Sequence, residues 1–538
     1  MRRFFRNVVC ATLVAGGAAG SAPAQPSADV SWRTLRDAEL SLGWLRSENA
    51  AGLLFFRDSS LSEIAAYAAA EHGGLKEYYE AEDRLAFGLD AASYHRLSER
   101  VVVRGEVGYE RQLGRRMSGS YFIDPTQTPF DLVEFTDENP GDKQLETYRV
   151  AGSVGVAATR RLAVGVRFDY ATANYAKRRD LRHVNSLMDM TVSPGILFRT
   201  GRFALGVNYT YRRRIESLML NVYGKTDQVY VSLIDYGAFF GKREVFGDTG
   251  YTKENETKPL FDAYHGGAVQ ASWRIAPRLT LYGELSFRLR SGYYGKPSPT
   301  TVVYTNHDGR VLACDLAADY DAGRHRHTLQ LSFGQNSVDN RENIYTYRNE
   351  EVGRSYIVYL GETHVGSRTR SCVSATYTGR LGMERELPRW RIVCDGGIDS
   401  RRITASNYPD YRHQHLTWWH VGAAGERNLL RGRNCWSLRL GAGWSAGQGD
   451  PAQDGCYESA NESETLTRTR DDLLRREVEY LTSPRLDLSA DLRLTRRFGS
   501  RGLRGYVAAG YAWEQAFGTQ YLGNAMRHAA LLRVGCEF

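Results

Sequence analysis

The sequence predicts an all-β chain, a transmembrane antiparallel β-barrel of about 18 strands (roughly 14 to 20 by its weaker segments), with an N-terminal plug or lid. Three observations predict it. The last strand alternates apolar and polar residues up to a terminal aromatic, Phe538. The same period of two recurs along the chain. Third, 538 residues with 25% charged groups and a mean hydropathy of -0.46 contain no apolar run near the ~20 residues a spanning helix needs, so a membrane chain of this kind crosses as a closed sheet.

At the C-terminus, Met526, His528, Ala530, Leu532, Val534, Cys536 and Phe538 share one face, with Arg527, Arg533 and Glu537 on the other. This ending resembles the signal that the bacterial barrel-assembly machinery reads, which makes Phe538 the expected assembly signal and that machinery an expected partner. At the N-terminus, Arg2, Arg3 and Arg6 precede an apolar small-residue run from Val8 to Ala19, and Ala22-Pro23-Ala24 supplies a cleavage site. Residues 1–24 read as a signal peptide, 25–58 as plug or periplasmic lid, and 59–538 as barrel. The expected location is the outer membrane of a Gram-negative bacterium.

Strand after strand repeats the alternation. Leu279, Leu281, Leu285, Phe287 and Leu289 oppose Thr280, Tyr282, Glu284, Arg288 and Arg290; Leu486, Leu488, Leu492 and Leu494 oppose Asp487, Asp491 and Arg493; Phe203, Leu205 and Val207 oppose Ala204, Gly206 and Asn208; Leu162, Val164, Val166 and Phe168 oppose Arg167 and Asp169. Trp436 and Trp444 bracket Leu438, Leu440 and Ala442, as an interfacial aromatic girdle does. Short turns are expected near 97–100, 158–161, 200–202, 276–278, 322–324, 383–389, 428–433 and 499–502. Longer loops are expected at 117–143, 216–262, 336–367 and 446–477. The last is acidic, either a solvated loop or a divalent-cation bridge to glycolipid; in the second, Tyr230, Val231, Leu233 and Tyr236 suggest a hairpin extended above the membrane.

Removing residues 1–24 takes three arginines and no acid, leaving 67 bases against 62 acids, too mild an excess to indicate nucleic acid. Arginines gather in the short turns, where outer-membrane lipid headgroups can pair with them. Six cysteines follow the signal; Cys372 and Cys394 flank one hairpin but alternate onto opposite faces, against a disulfide, and no spacing suggests a metal site. Cofactors are expected to be none. The histidines are scattered, and His413 and His415 near Asp410 come without a serine in a recognisable setting, so no catalytic residue is assigned and the chain is read as not an enzyme.

The inward face is charged: Arg104, Glu106, Arg167, Asp169, Glu284, Arg288, Asp487, Asp491 and Arg493 are the expected lumen lining. Rows of both signs either set a transverse field across a pore or pair into ladders that stiffen the wall. Ahead of the first strand, Trp44, Asn49, Gly52 and Leu53 mark the plug. The segment from Trp44 to Leu53, the spacing into the first strands and the Phe538 ending resemble a group of uncharacterised outer-membrane barrels of Bacteroides type. Asn49-Ala50-Ala51-Gly52-Leu53 is also similar to the Asn-Pro-Ala-Gly-Leu stretch in the hatch of long-chain fatty-acid transporters, with Ala50 in place of proline. The expected function is a channel or transporter for a small solute with a gated lumen. The alternative is a binding or scaffold barrel whose long extracellular loops engage an envelope or secretion partner.

Overall fold

The computed structural model describes residues 32–224, 227–349, 355–457, 467–499 and 502–538. The signal peptide and residues 25–31 of the expected plug lie outside the described residues. In chain order the strands are β1 (Ser60–His72), β2 (Asp83–Arg96), β3 (Val101–Met117), β4 (Asp131–Glu134), β5 (Gly141–Ala157), β6 (Leu162–Lys177), β7 (Arg182–Thr200), β8 (Phe203–Asn221), β9 (Val231–Gly237), β10 (Phe240–Val245) and β11 (Lys258–Ala276). They continue as β12 (Leu279–Ser298), β13 (Thr301–Asp321), β14 (His325–Asn349), β15 (Ser355–Glu384), β16 (Leu387–Asn407), β17 (Asp410–Arg431), β18 (Asn434–Cys456), β19 (Thr467–Thr469), β20 (Arg485–Arg497), β21 (Arg504–Ala516) and β22 (Met526–Glu537).

Eighteen of these form one antiparallel sheet, which closes where β1 pairs with β22, Glu63 opposite Glu537 and His72 opposite His528. Closure leaves no unpaired edge. The strand number and the faces agree with the sequence reading. Leu285 and Val534 are 55% and 50% exposed and lie with Leu205, Val164, Leu440 and Leu492 on the outer surface, a continuous apolar band suited to hydrocarbon. Trp273, Trp390 and Trp436 ring its lower margin. All eight expected short turns are present; by the usual rule for such barrels they are the periplasmic end.

Two loop expectations are corrected. Residues 336–367 are mostly strand: β14 and β15 stay paired from His325 opposite Leu381 up to Asn349 opposite Ser355, a two-stranded ribbon that outruns its neighbours above Glu342 and Gly366. Above the bilayer both faces meet water, so the apolar contrast that marks a strand is lost. Residues 446–477 contain the upper part of β18 and the start of a helix, α3 here by chain order after two short ones described below (Asp471–Thr482), which has acidic residues in its first turn and buries Leu473 and Leu474. Three carboxylates of this stretch are ion-paired: Asp454 of β18 and Asp471 to Arg412 at 2.7 and 3.0 Å, and Glu477 to Arg401 at 2.6 Å.

The expected hairpin exists as β9 and β10, but it folds inward. With β4 and β19 it makes a four-stranded sheet in the extracellular half of the barrel. Ile234, Tyr236 and Phe240 pack there with Leu260, Tyr294, Val302, Val365 and Ala405 of the wall, while Leu233 and Phe239 pack with Ile403 and with Leu473 and Leu474 of α3. Burying these apolar side chains is worth more than exposing them above the membrane.

Candidate functional site

The residues ahead of β1 fold as α1 (Leu35–Ser41), α2 (Gly43–Arg46) and a 3-10 turn (Ala50–Phe55). Thr34 caps α1 by accepting from the Asp37 amide at 3.1 Å, and Asn49 Oδ1 caps the 3-10 turn by accepting from Ala51 N at 3.1 Å. Leu35, Ala38, Trp44, Leu45, Leu53 and Phe56 are buried, and their partners are inward-facing side chains of the wall: Tyr94, Val102, Leu197, Ala204, Tyr282 and Ala317. These partners come from opposite sides of the barrel, so the segment lies within its periplasmic half.

Of the expected plug residues, Trp44 donates to Ser272 Oγ at 2.9 Å, stacks on Phe55 at 5.3 Å and meets Tyr282 edge-on at 5.5 Å. Asn49 is 1% exposed, and its amide nitrogen donates to Ile196 O (2.9 Å), Val207 O (3.3 Å) and Gln270 Oε1 (3.0 Å). Leu53 is buried in the same cluster, and Gly52 sits so close to Trp44 that a Cβ would come 2.9 Å from its carbonyl oxygen.

Close approach to the wall depends on glycine there too. Gly155, Gly165 and Gly195 are direct register partners across β5, β6 and β7, all facing inward. A side chain at Gly155 would strike the Ala50 carbonyl, at Gly165 the Ala50–Ala51 peptide, and at Gly195 the Asn49 amide. This smooth track lets the 3-10 turn lie directly on backbone.

Behind Asn49 the hydrogen-bond ladder of the wall is interrupted. β7 and β8 pair from Arg182 opposite Asn221 to Val192 opposite Tyr211 and resume at Gly195 opposite Asn208, without a change of register. Pro194 has no amide hydrogen to give the ladder, and the two intervening pairs are missing. The Asn49 amide bonds the carbonyls of Ile196 and Val207 at the edge of this break. On the outer surface at the same place lies a recess of about 460 Å³, lined by Val154, Val164, Val166, Pro194, Ile196, Val207 and Tyr209, with inward-facing Gly165, Gly195 and Asn208 at its floor. It faces lipid outside and backs onto the N-terminal segment inside.

Polar contacts tie the segment down. Glu48 accepts from Arg288 (2.7 Å) and Thr210 Oγ1 (2.9 Å), Glu39 from the Tyr94 hydroxyl (2.7 Å), and Asp37 pairs with Arg391. Asn208 accepts from Gln270 at 2.6 Å, which joins Asn49 to the same network. Arg504 donates to the Arg33 carbonyl at 2.8 Å.

The expected lumen residues all face inward, in two groups. Arg288, Arg104 and Glu284 touch or neighbour the segment: Arg104 lies 3.6 Å from Glu39 and 2.6 Å from Glu106, and Glu284 accepts from Tyr282 at 2.7 Å. The others stay in the wall: Arg167 with Asp169 at 2.6 Å, Arg493 with Glu537 at 2.6 Å, Asp487 3.8 Å from Arg485, and Asp491 opposite Arg439 in register. These are local ladders and not facing rows across a pore. Sequence reasoning missed Glu48, Gln270, the glycine track and the break; of these only Pro194, a proline inside an alternating strand, carried a readable signal.

Residues 50–538 match the family described as family of unknown function DUF6850, and the chain belongs to it. No curated protein matches. Among solved structures, the chain is similar to BauA, the ferric preacinetobactin receptor of Acinetobacter baumannii (9% identity, 90% of this chain and 80% of that one, TM-score 0.40), and to the outer membrane transporter YddB of Escherichia coli (6%, 90% and 81%, 0.41). It is also similar to the CymD monoaromatic hydrocarbon channel (10%, 93% and 92%, 0.31).

Proposed function

We propose that this outer-membrane barrel of the DUF6850 family is a gated passage for a small apolar solute, residing in a Gram-negative envelope, with residues 32–58 as the gate. The observation that carries the reading is the break between β7 and β8, held by the Asn49 amide and opening outward onto an apolar recess. Withdrawing Asn49 removes its bonds to the carbonyls of Ile196 and Val207, and the two strands then part where their ladder is already interrupted. A solute that prefers hydrocarbon then leaves sideways into the bilayer and avoids crossing the remaining plug contacts. The segment is held by its buried apolar side chains as well as by hydrogen bonds and ion pairs, and by no disulfide among the described residues, so the opening step is a local withdrawal of Asn49 and not release of the whole segment.

The scaffold reading has less support, because β4, β9, β10 and β19 turn into the barrel instead of outward toward a partner. The test is uptake of an apolar naphthylamine dye by cells whose intact outer membrane excludes it. Expression of the chain raises uptake, and Val207→Trp, which fills the recess, returns it toward background. Uptake equal to that of cells lacking the chain contradicts the reading.

A further inference from the structure

The in-folded sheet occupies the extracellular half of the lumen, and one pair of residues in it is out of keeping with a purely structural role. β4 and β9 place Asp131 directly opposite Asp235, on one face of the sheet. Like charges opposite one another weaken a sheet. Both side chains are buried, at 4% and 6% exposure.

Each carboxyl holds a separate part of the closure. Asp131 accepts from Ser120 Oγ (2.6 Å), Leu132 N (2.8 Å) and the Tyr78 hydroxyl (2.8 Å), so it joins β4 to the loop between β1 and β2. Asp235 Oδ1 accepts from Gly237 N (2.9 Å) and Phe240 N (3.0 Å) and clamps the β9–β10 turn. That turn needs clamping: Ala238 and Phe239 both have positive φ, 52° and 56°, a conformation costly for residues with side chains. Its tip is also tied to the wall, the Ala238 carbonyl accepting from Arg412 at 3.1 Å.

We propose that Asp131 and Asp235 form a proton-dependent latch on the extracellular mouth, closed while the pair carries protons and released when both carboxylates ionise. The charged surroundings are mixed. Tyr78 faces the pair from the β1–β2 loop, Tyr121 and, from β6, Tyr175 face Asp131, and Glu477 of α3 faces Asp235; Arg368 of β15 and Lys143 of β5 supply the cations. Those cations already have acceptors: Arg368 donates to the carbonyls of Pro125 and Thr128, and Lys143 to those of Ser118 and Ser120, while Glu477 is paired with Arg401. Burial therefore prevails and pushes Asp131 up to about 6 and Asp235 up to about 7, the latter further raised by Asp131 itself.

The sign follows. A carboxyl whose affinity for protons is higher in the closed state favours closure below those values and loses that contribution as pH rises through them. Opening the sheet returns both groups to water. Between pH 5.5 and 8.5 the closed-to-open ratio falls roughly 10- to 100-fold.

The inference concerns the outer closure alone and holds whether or not the solute is apolar. Its test is hydrogen exchange of the full-length processed chain in lipid nanodiscs at pH 5.5 and 8.5, corrected for the intrinsic exchange rate. Amides of residues 131–134 and 231–245 lose protection by roughly 10-fold or more at the higher pH in the native chain. They stay protected at both pH values in Asp131→Asn/Asp235→Asn, whose amide oxygens keep the bonds from Ser120, Leu132, Gly237 and Phe240 while the amide nitrogen at 131 donates to the Tyr78 oxygen. Unchanged protection of the native sheet, or an equal loss in the double variant, overturns the latch. Because exchange reads the sheet directly, a failure of dye uptake leaves this result standing, and the reverse.

Discussion

At the scale of single residues, Asn49 has the most to do. One side chain caps the 3-10 turn, bonds two wall carbonyls and joins Gln270. Removing it leaves buried acceptors without a donor, each costing about 1–3 kcal/mol. Asn49→Ala is therefore expected to loosen the gate and raise open probability in planar bilayers by about tenfold for each 1.4 kcal/mol lost. Asn49→Asp, which keeps the cap but removes both donated hydrogens, behaves the same way; a variant pair indistinguishable from the native chain removes Asn49 from the gate. Asn49, Trp44, Gly52 and Leu53 stood out in the sequence because they form a compact motif in a stretch without alternation. Their partners did not. Gly155, Gly165 and Gly195 are glycines among many, and only strand register shows that they line up.

Among elements, those pressed against lipid were legible and those surrounded by water or protein were not. β12, β20 and the lower part of β8 alternate strongly because hydrocarbon tolerates only one kind of neighbour. The upper parts of β14, β15 and β18 lack that constraint, and α3 hides in a segment whose acidity suggested only a solvated loop. The inward course of β9 and β10 depends on long-range packing with Val365, Ala405 and Ile403, which lies more than a hundred residues away in sequence. Two element-scale outcomes follow. Gly165→Val places branched carbon where the Ala50–Ala51 peptide lies, and is expected to expel the 3-10 turn while leaving the barrel assembled. Protease sensitivity of residues 32–58 in folded protein checks it, and a segment as protected as in the native chain contradicts it. Truncation of Phe538, whose amide and carbonyl pair with Ser62 at the closing seam (3.0 and 2.8 Å), is expected to cut the amount of heat-modifiable barrel in the membrane severalfold.

Taken as a whole, the described residues form a closed wall with two separate fillings, the N-terminal segment below and the in-folded sheet above. The wall charges pair locally, and Arg288 meets Glu48 on the lower filling while Arg290 reaches the Gln127 carbonyl of the upper one at 2.8 Å, only two residues further along β12. The two fillings thus approach each other on that side of the barrel. The most direct measurement is the single-channel conductance of the processed chain in planar bilayers, with and without residues 25–58, at pH 8.5, where the proposed latch contributes least to closure. The account predicts a native barrel that is closed for most of the recording and a truncated one with sustained, larger conductance. Equal conductance in the two, or silence in both, contradicts it.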